Sequence, residues 1–127
     1  MKIICLDTNT LIEYWRAKKD AKNKTKIVAL SSKYRLAVSV ISAYELLRGD
    51  NSEEDKFWKD FFAQVTILDM DIDCAEIAGN IYRDLKQKGQ PIGAEDILIA
   101  CIAMRHNLKL ATDNTKHFDR VQGLTIV

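Results

Sequence analysis

The sequence is poor in the residues that break or cross-link a chain. It has one proline, five glycines and three cysteines in 127 residues. That scarcity, together with 47% hydrophobic and 29% charged residues, excludes a disordered or fibrous chain and is typical of a globular protein. The length is the usual size of one domain, so we expect residues 1–127 to form a single domain.

The few cysteines and histidines exclude a disulfide framework and a zinc site. Cys5, Cys74 and Cys101 are odd in number and have no CxxC spacing, and His106 and His117 are not spaced as zinc ligands. No apolar run reaches the roughly 20 residues that a membrane span needs, and a strand begins at once where a signal peptide would lie. We therefore expect a cytoplasmic protein with reduced, buried cysteines and no membrane contact.

Charge is unevenly distributed although the net charge is only +1. The segment 16–26 carries six basic residues and one acid: Arg16, Lys18, Lys19, Lys22, Lys24 and Lys26 against Asp20. Such a cluster could attract a polyanion, or it could be an ordinary solvated helix face. It gives only weak support for a nucleic-acid substrate.

Short apolar runs alternate with helical patterns along the whole chain. The runs predict five strands, at residues 3–6, 36–40, 65–68, 108–111 and 124–127. The alternation predicts an α/β fold in which a five-stranded parallel sheet lies between two layers of helices, a three-layer α/β/α arrangement.

Three of the predicted helices have recognisable local features. Ser42 followed by Glu45 has the spacing of a capping box, and a helix starting at Ser52 carries an aromatic stripe over 57–65. The helix that follows the break at 91–93 is apolar all round over 97–104, which predicts a central, buried position.

Four acidic residues stand where a strand ends or a helix begins: Asp7, Glu45, Asp96 and Asp113. The carboxyl ends of parallel strands meet at one edge of a sheet, where open α/β folds bind ligands. Carboxylates crowded there repel one another, and a divalent metal with oxygen ligands, Mg²⁺ or Mn²⁺, offsets that repulsion. The pattern favours metal-dependent phosphodiester chemistry.

Taken singly, three of these acids have structural explanations. Asp7 could simply cap a helix, Asp113 could be a turn residue, and Glu45 could complete the capping box and pair with Arg48. Asp96 is harder to explain in this way, because the eight residues after it are apolar and a carboxylate beside a core needs a strong partner.

Four segments resemble the PIN-domain family, most closely its VapC-type toxins from bacterial and archaeal toxin-antitoxin pairs. They are Leu-Asp-Thr-Asn at 6–9, Ser-Ala-Tyr-Glu-Leu-Leu-Arg-Gly at 42–49, Pro-Ile-Gly-Ala-Glu-Asp at 91–96 with Ile-Ala at 99–100, and Thr-Asp-Asn-Thr-Lys-His-Phe at 112–118. The match spans the chain. Cys101, where the family usually has a small residue, and the additional acid Glu95 are small departures.

The resemblance implies a PIN fold and Mg²⁺- or Mn²⁺-dependent endoribonuclease activity. By motif, the acidic quartet corresponds to Asp7, Glu45, Asp96 and Asp113, and the supporting polar residues correspond to Thr8, Asn9 and Asn114. Such toxins dimerise and are held inactive by an antitoxin. The resemblance therefore implies a homodimer, an RNA substrate and a cognate VapB-type antitoxin, which could lie on the exposed part of 57–62 or on the helices around Trp15.

Our working hypothesis is that metal-activated water hydrolyses RNA. Asp7 and Asp96 would anchor the principal ion, while Glu45 and Asp113 would complete or bridge its shell and help to recruit a second ion. Arg48 could contact a phosphate or pair with Glu45 and hold it in place.

Three other functions remain to be weighed. A haloacid-dehalogenase-type phosphatase with Asp7 as nucleophile would need an acid where Asn9 stands. A non-catalytic receiver-like domain would need paired acids after the first strand and a well-placed lysine, which neither Lys109 nor Lys116 supplies. A PIN-domain nuclease in RNA processing would keep the fold and the quartet.

Overall fold

The apolar runs form a parallel sheet in the computed structural model, which describes residues 1–127. The strands are β1 (Lys2–Leu6), β2 (Tyr34–Ser39), β3 (Thr66–Leu68) and β4 (Leu110–Ala111). All pairs are parallel and the order is β3-β2-β1-β4. At the carboxyl end of β1, Leu6 lies opposite Val38 on one side and Ala111 on the other.

The predicted fifth strand is not formed as a strand of the sheet. Residues 124–127 do run beside β4, where the Leu110 amide donates to the Thr125 carbonyl at 2.9 Å and the Val127 amide donates to the Leu110 carbonyl at 2.9 Å. Because β4 is only two residues long, this pairing amounts to a single parallel bridge between Leu110 and Ile126. The sheet therefore has four strands rather than five.

Helices connect the strands, as the alternation predicts. They are α1 (Thr8–Arg16), a 3₁₀ helix (Lys19–Lys24), α2 (Lys26–Ser31), α3 (Val40–Leu47), α4 (Ser52–Phe62), α5 (Ile72–Gln87), α6 (Ala94–Arg105) and α7 (Thr115–Phe118). None of them combines the length and the apolar character that crossing a bilayer requires.

The sheet separates two hydrophobic cores. Successive strand side chains point to opposite faces, so Cys5 packs with the core under α5 and α6, while its neighbours Ile4 and Leu6 pack with the core under α1, α2 and α4. The prediction of a three-layer α/β/α fold is confirmed. The apolar helix α6 lies in the first core, as its composition predicts, with six of its residues buried.

The strand order determines where a ligand can bind. From β1 the chain moves to β2 and β3 on one side, and later returns to place β4 on the other side of β1. The crevice beyond the carboxyl ends of β1 and β4 is therefore a topological switch point, the usual binding position in an open α/β sheet.

Candidate active site

Asp7 lies at this switch point, directly after β1. It is 3% exposed, and its backbone amide donates to the Ala111 carbonyl at 2.9 Å. Carboxylate oxygen Oδ1 accepts from the Thr8 amide at 2.8 Å, and Oδ2 accepts from the Thr112 hydroxyl at 2.8 Å. Asp7 is thus both the N-cap of α1 and a buried carboxylate held between β1 and the end of β4.

The electrostatics of Asp7 show that other acids lie nearby. Burial raises the pKa of the Asp7 carboxyl above its ordinary value, and the charges of Asp96 and Asp113 raise it further. The hydrogen bonds from Thr112 and Thr8 act in the opposite direction. Ionising Asp7 is therefore less favourable than ionising an exposed aspartate, and a nearby positive charge would favour the ionised form.

Glu45 reaches the same region from α3 through Thr8. The Thr8 hydroxyl donates to Glu45 Oε1 at 2.7 Å and lies 2.8 Å from the Ser42 hydroxyl. Because Thr8 gives its single hydroxyl hydrogen to Glu45, Ser42 must be the donor to Thr8. Burial and then the neighbouring carboxyl group of Glu95 raise the pKa of Glu45 to about 7.

The predicted capping box is wrong. Strand β2 extends to Ser39, and α3 begins at the next residue, so Ser39 is the N-cap and accepts a hydrogen bond from the Ser42 amide at 3.1 Å. Ser42 lies inside the helix and Glu45 one turn further on. This placement frees both side chains for the contacts with Thr8.

Arg48 pairs with Glu95 rather than with Glu45. Its Nη1 lies 3.3 Å from Glu95 Oε1, and both side chains are about half exposed. The interaction with Glu45, and then the charge of Arg48, lower the pKa of Glu95. Glu95, the additional acid noted in the sequence, is therefore part of a Glu45–Glu95–Arg48 group.

Asp96 lies in the first turn of α6, and its Oδ2 is 3.2 Å from His117 Nδ1. The Asn114 side-chain amide nitrogen is 3.1 Å from the same ring nitrogen. The side chain that contacts Asp96 is thus His117 on α7. Sequence reasoning missed this role, because His117 was considered only as a zinc ligand.

Asp113 follows β4 and is the most exposed of the four acids, with 67% of its side chain accessible. Its Oδ1 lies 3.2 Å from Lys26 Nζ. The structure therefore brings Asp96 and Asp113 within electrostatic range of Asp7 and links Glu45 to Asp7 through Thr8.

The predicted supporting residues divide into two groups. Thr8 bridges Asp7 and Glu45, and Asn114 contacts His117 and donates its backbone amide to the Thr112 hydroxyl at 2.9 Å. Asn9 is exposed and its side chain makes no hydrogen bond.

Comparison with known proteins places this arrangement in a family. The sequence model of the PIN domain matches residues 4–124. The chain belongs to the PIN-domain family.

Among its relatives, this PIN domain is 32% identical over 126 residues to "Ribonuclease VapC1" of Methanocaldococcus jannaschii, covering 97% of this chain and 85% of the relative. It is 29% identical to "tRNA(fMet)-specific endonuclease VapC" of Salmonella typhimurium, covering 95% of this chain and 93% of the relative. The crystal structure of VapBC2 from Rickettsia felis, bound to a promoter DNA fragment, contains a chain that superposes with a TM-score of 0.83 at 28% identity, over 98% of this chain and 97% of the other.

The donor set of this PIN domain suits a hard divalent cation. No three histidine, cysteine, aspartate or glutamate side chains are close enough together to hold a metal as they stand. Mg²⁺, however, is usually bound through one or two carboxylates and keeps several water ligands. Asp7 and Asp96, which interact electrostatically, would supply two such carboxylates, and Asp113 and Glu45 are linked to Asp7 by charge and through Thr8.

The roles of two hydroxyl residues and one lysine of this PIN domain were not predicted from the sequence. Ser42 contacts Thr8, which holds Glu45. Thr112 donates directly to Asp7, and Lys26 holds Asp113. The only feature of the sequence that could have indicated a role for Thr112 is its position next to Asp113 in the motif. Nothing local in the sequence pairs residue 112 with residue 7 or residue 26 with residue 113.

Proposed function

We propose that this PIN domain is a VapC-type endoribonuclease, the toxin of a toxin-antitoxin pair, and that it cleaves RNA with bound Mg²⁺ or Mn²⁺. Relatives named ribonucleases and a tRNA-specific endonuclease support nuclease activity. The observation that carries the proposal is the Asp7 carboxylate, which is buried at the switch point of the sheet and lies within electrostatic range of Asp96 and Asp113.

In this proposal Asp7 and Asp96 hold the ion, and Glu45 and Asp113 add negative charge around it. A bound divalent ion lowers the pKa of a coordinated water and neutralises charge on the phosphoryl oxygens. The protein's own contribution is positioning. Thr112 and Thr8 fix the two Asp7 oxygens, and Thr8 also fixes Glu45 Oε1.

Two other groups suit the same reaction. The Glu45 carboxyl, with a pKa of about 7, is suited to exchanging a proton at neutral pH. The guanidinium of Arg48 lies half exposed beside Glu95, where it can contact a phosphate of the bound RNA.

The proposed antitoxin site is an apolar groove between α1, α2 and α4. It has a volume of about 350 Å³, and its apolar lining consists of Tyr14, Ile27, Val28, Leu36, Phe57 and Phe61. The groove contains part of the aromatic stripe on α4, whose Trp58 is fully buried beneath it. A hydrophobic segment of an antitoxin would fill the groove.

The proposed homodimer face lies on the opposite layer of the molecule. An apolar groove of about 310 Å³ between α5 and α6 includes Ala78, Gly79, Tyr82 and Leu98, and Tyr82 is largely exposed. Tyr82→Glu should convert a dimer to a monomer in sedimentation velocity. A monomeric wild type would contradict this assignment.

The decisive experiment for the proposed function is RNA cleavage by the purified protein. We expect cleavage of a mixture of messenger and transfer RNA with Mg²⁺, none with a chelator, and none by Asp7→Asn or Asp96→Asn. The matched control is Asp69→Asn, because Asp69 is an exposed aspartate directly after β3, at the far side of the sheet. Full activity of both Asp7→Asn and Asp96→Asn would refute the proposal.

The neighbouring reading frame distinguishes a toxin from a PIN-domain nuclease of RNA processing. A toxin should be encoded beside a small DNA-binding protein whose co-expression abolishes the cleavage. Cleavage that this neighbour leaves unaffected would favour the RNA-processing role.

A further inference from the structure

Lys26, the first residue of α2, is held by three oxygen atoms. Its Nζ donates to the Thr112 carbonyl at 3.0 Å, to Asp113 Oδ1 at 3.2 Å and to the Val127 carbonyl at 2.7 Å. A lysine ammonium has three hydrogens to donate, so each of them has an acceptor here. The side chain is 23% exposed, and the charge has one defined position.

The three acceptors form an oxygen cage of the kind that a hard cation occupies. Two are main-chain oxygens, of Thr112 and Val127, and one is a carboxylate oxygen of Asp113, and divalent ions with oxygen coordination prefer such ligands. Thr112 and Asp113 come directly after β4, and Val127 belongs to the segment paired with β4, since the Thr112 amide donates to the Val127 carbonyl at 3.2 Å. Three parts of the chain thus converge on the ammonium.

This cage adjoins the proposed metal pair. The carbonyl of Thr112 contacts Lys26, while the hydroxyl of the same residue donates to Asp7. The charge of Asp113 also acts on Asp7, whose pKa it raises. Thr112, the residue that fixes Asp7, therefore also binds the positive charge of Lys26.

Lys26 differs in this respect from the other lysines of the basic segment. Lys24 is exposed and its side chain makes no hydrogen bond or ion pair. Lys22 donates to the Tyr14 carbonyl at 2.7 Å and lies over the Tyr14 ring, away from any acid. Only Lys26 connects the segment to the acidic crevice.

We infer that Lys26 is a built-in cation for Asp113. The ammonium of Lys26 takes the place that a second divalent ion would occupy. The crevice then binds a single divalent ion, at Asp7 and Asp96. Lys26 is a positioning residue in this scheme, because it fixes Asp113 and the end of β4 without touching the reacting atoms. The inference rests on the proposed metal-dependent function and refines it to one ion rather than two.

The test counts Mn²⁺ ions bound to the RNA-free protein, by isothermal titration calorimetry and by the electron paramagnetic resonance signal of free Mn²⁺. We expect one ion per chain for the wild type and two for Lys26→Met, which opens the oxygen cage. The double variant Lys26→Met with Asp113→Asn should return to one. Lys24→Met, the matched control two residues away, should stay at one.

A second variant keeps the test decisive where Lys26→Met fails to fold. Asp113→Asn in the native background should still bind one ion, whereas Asp7→Asn should lose it. Two ions in the wild type, one ion in folded Lys26→Met, or loss of the ion in Asp113→Asn would each overturn the Lys26 assignment alone. A wild type that binds no Mn²⁺ would overturn the proposed metal-dependent function along with it.

Discussion

The Asp7 carboxylate accepts a hydrogen bond of 2.8 Å from the hydroxyl of Thr112, a residue 105 positions later in the chain. This contact joins the end of β1 to the end of β4 and is buried. It also opposes the rise in the pKa of Asp7 that burial causes. This hydrogen bond therefore stabilises the fold and keeps the pKa of Asp7 lower than burial alone would make it.

Replacing Thr112 by valine should separate these effects. Leaving Asp7 Oδ2 without its donor should lower the free energy of unfolding by about 1–3 kcal/mol, the cost of an unsatisfied buried polar group. The pKa of Asp7, followed by carboxyl NMR, should rise above its wild-type value. Thr115→Val, at an exposed threonine three residues on, is the control, and equal behaviour of the two variants would contradict the role given to Thr112.

Glu45 should make stability depend on pH near neutrality. Its pKa of about 7 in the folded protein exceeds the ordinary value of 4.5, so between these pH values the folded state binds more protons than the unfolded state. The free energy of unfolding should then fall as pH rises through this window, and the contribution of Glu45 should be gone above pH 7.

Urea denaturation from pH 4.5 to 8 without divalent ions measures this dependence. Glu45→Gln should flatten the slope, because the variant cannot titrate. Glu76→Gln, at an exposed glutamate on α5, should retain it. A Glu45→Gln slope as steep as that of the wild type would show that another group is responsible.

Trp58 should be a principal contributor to the core under α4. It is 0% exposed, and its ring centroid lies 4.9 Å from that of Phe57 and 5.8 Å from that of Phe61. Trp58→Ala should reduce the free energy of unfolding by about 3–5 kcal/mol, as large-to-small changes of buried aromatics do. The control, Ile72→Ala, removes an apolar side chain that is 81% exposed. It should change the free energy of unfolding by no more than about 0.5 kcal/mol. Similar losses in both variants would contradict the burial assigned to Trp58.

The groove between α1, α2 and α4 should bind the antitoxin without taking part in cleavage. Val28→Lys places a charge among its apolar residues and should weaken co-purification with the product of the neighbouring small gene. Ala29→Lys, at the next position and exposed, should not. RNA cleavage should continue in both variants, and unaltered antitoxin binding by Val28→Lys would place the partner elsewhere.

The fold and the acids could be predicted because their signals are local. The run before Asp7 is apolar and unbroken, as a central parallel strand requires, and Asp96 precedes a helix that is apolar all round. Because strand ends share one edge of a parallel sheet, the positions of these acids in the sequence are enough to predict that they lie near one another.

The fifth strand was predicted wrongly from a similar local signal. Residues 124–127 have the composition of a strand, but β4 has only two residues with which they can pair.

The partners of the acids could not be predicted, because they depend on how distant segments pack. Lys26 meets Asp113 across 87 positions and His117 meets Asp96 across 21. In the sequence, Lys26 is one of six similar basic residues, and only the position of α2 beside β4 distinguishes it. The Ser42 error had a local origin, since the strand was predicted to run to residue 40, whereas β2 ends at Ser39 and this serine caps the helix.

The most direct measurement of the central claim is a crystal structure soaked with Mn²⁺, with the ion located by anomalous scattering. We predict a peak in the crevice bonded to carboxylate oxygens of both Asp7 and Asp96. The absence of a peak there at saturating Mn²⁺, or an ion bonded to neither residue, would contradict the claim that these carboxylates form one metal-binding site.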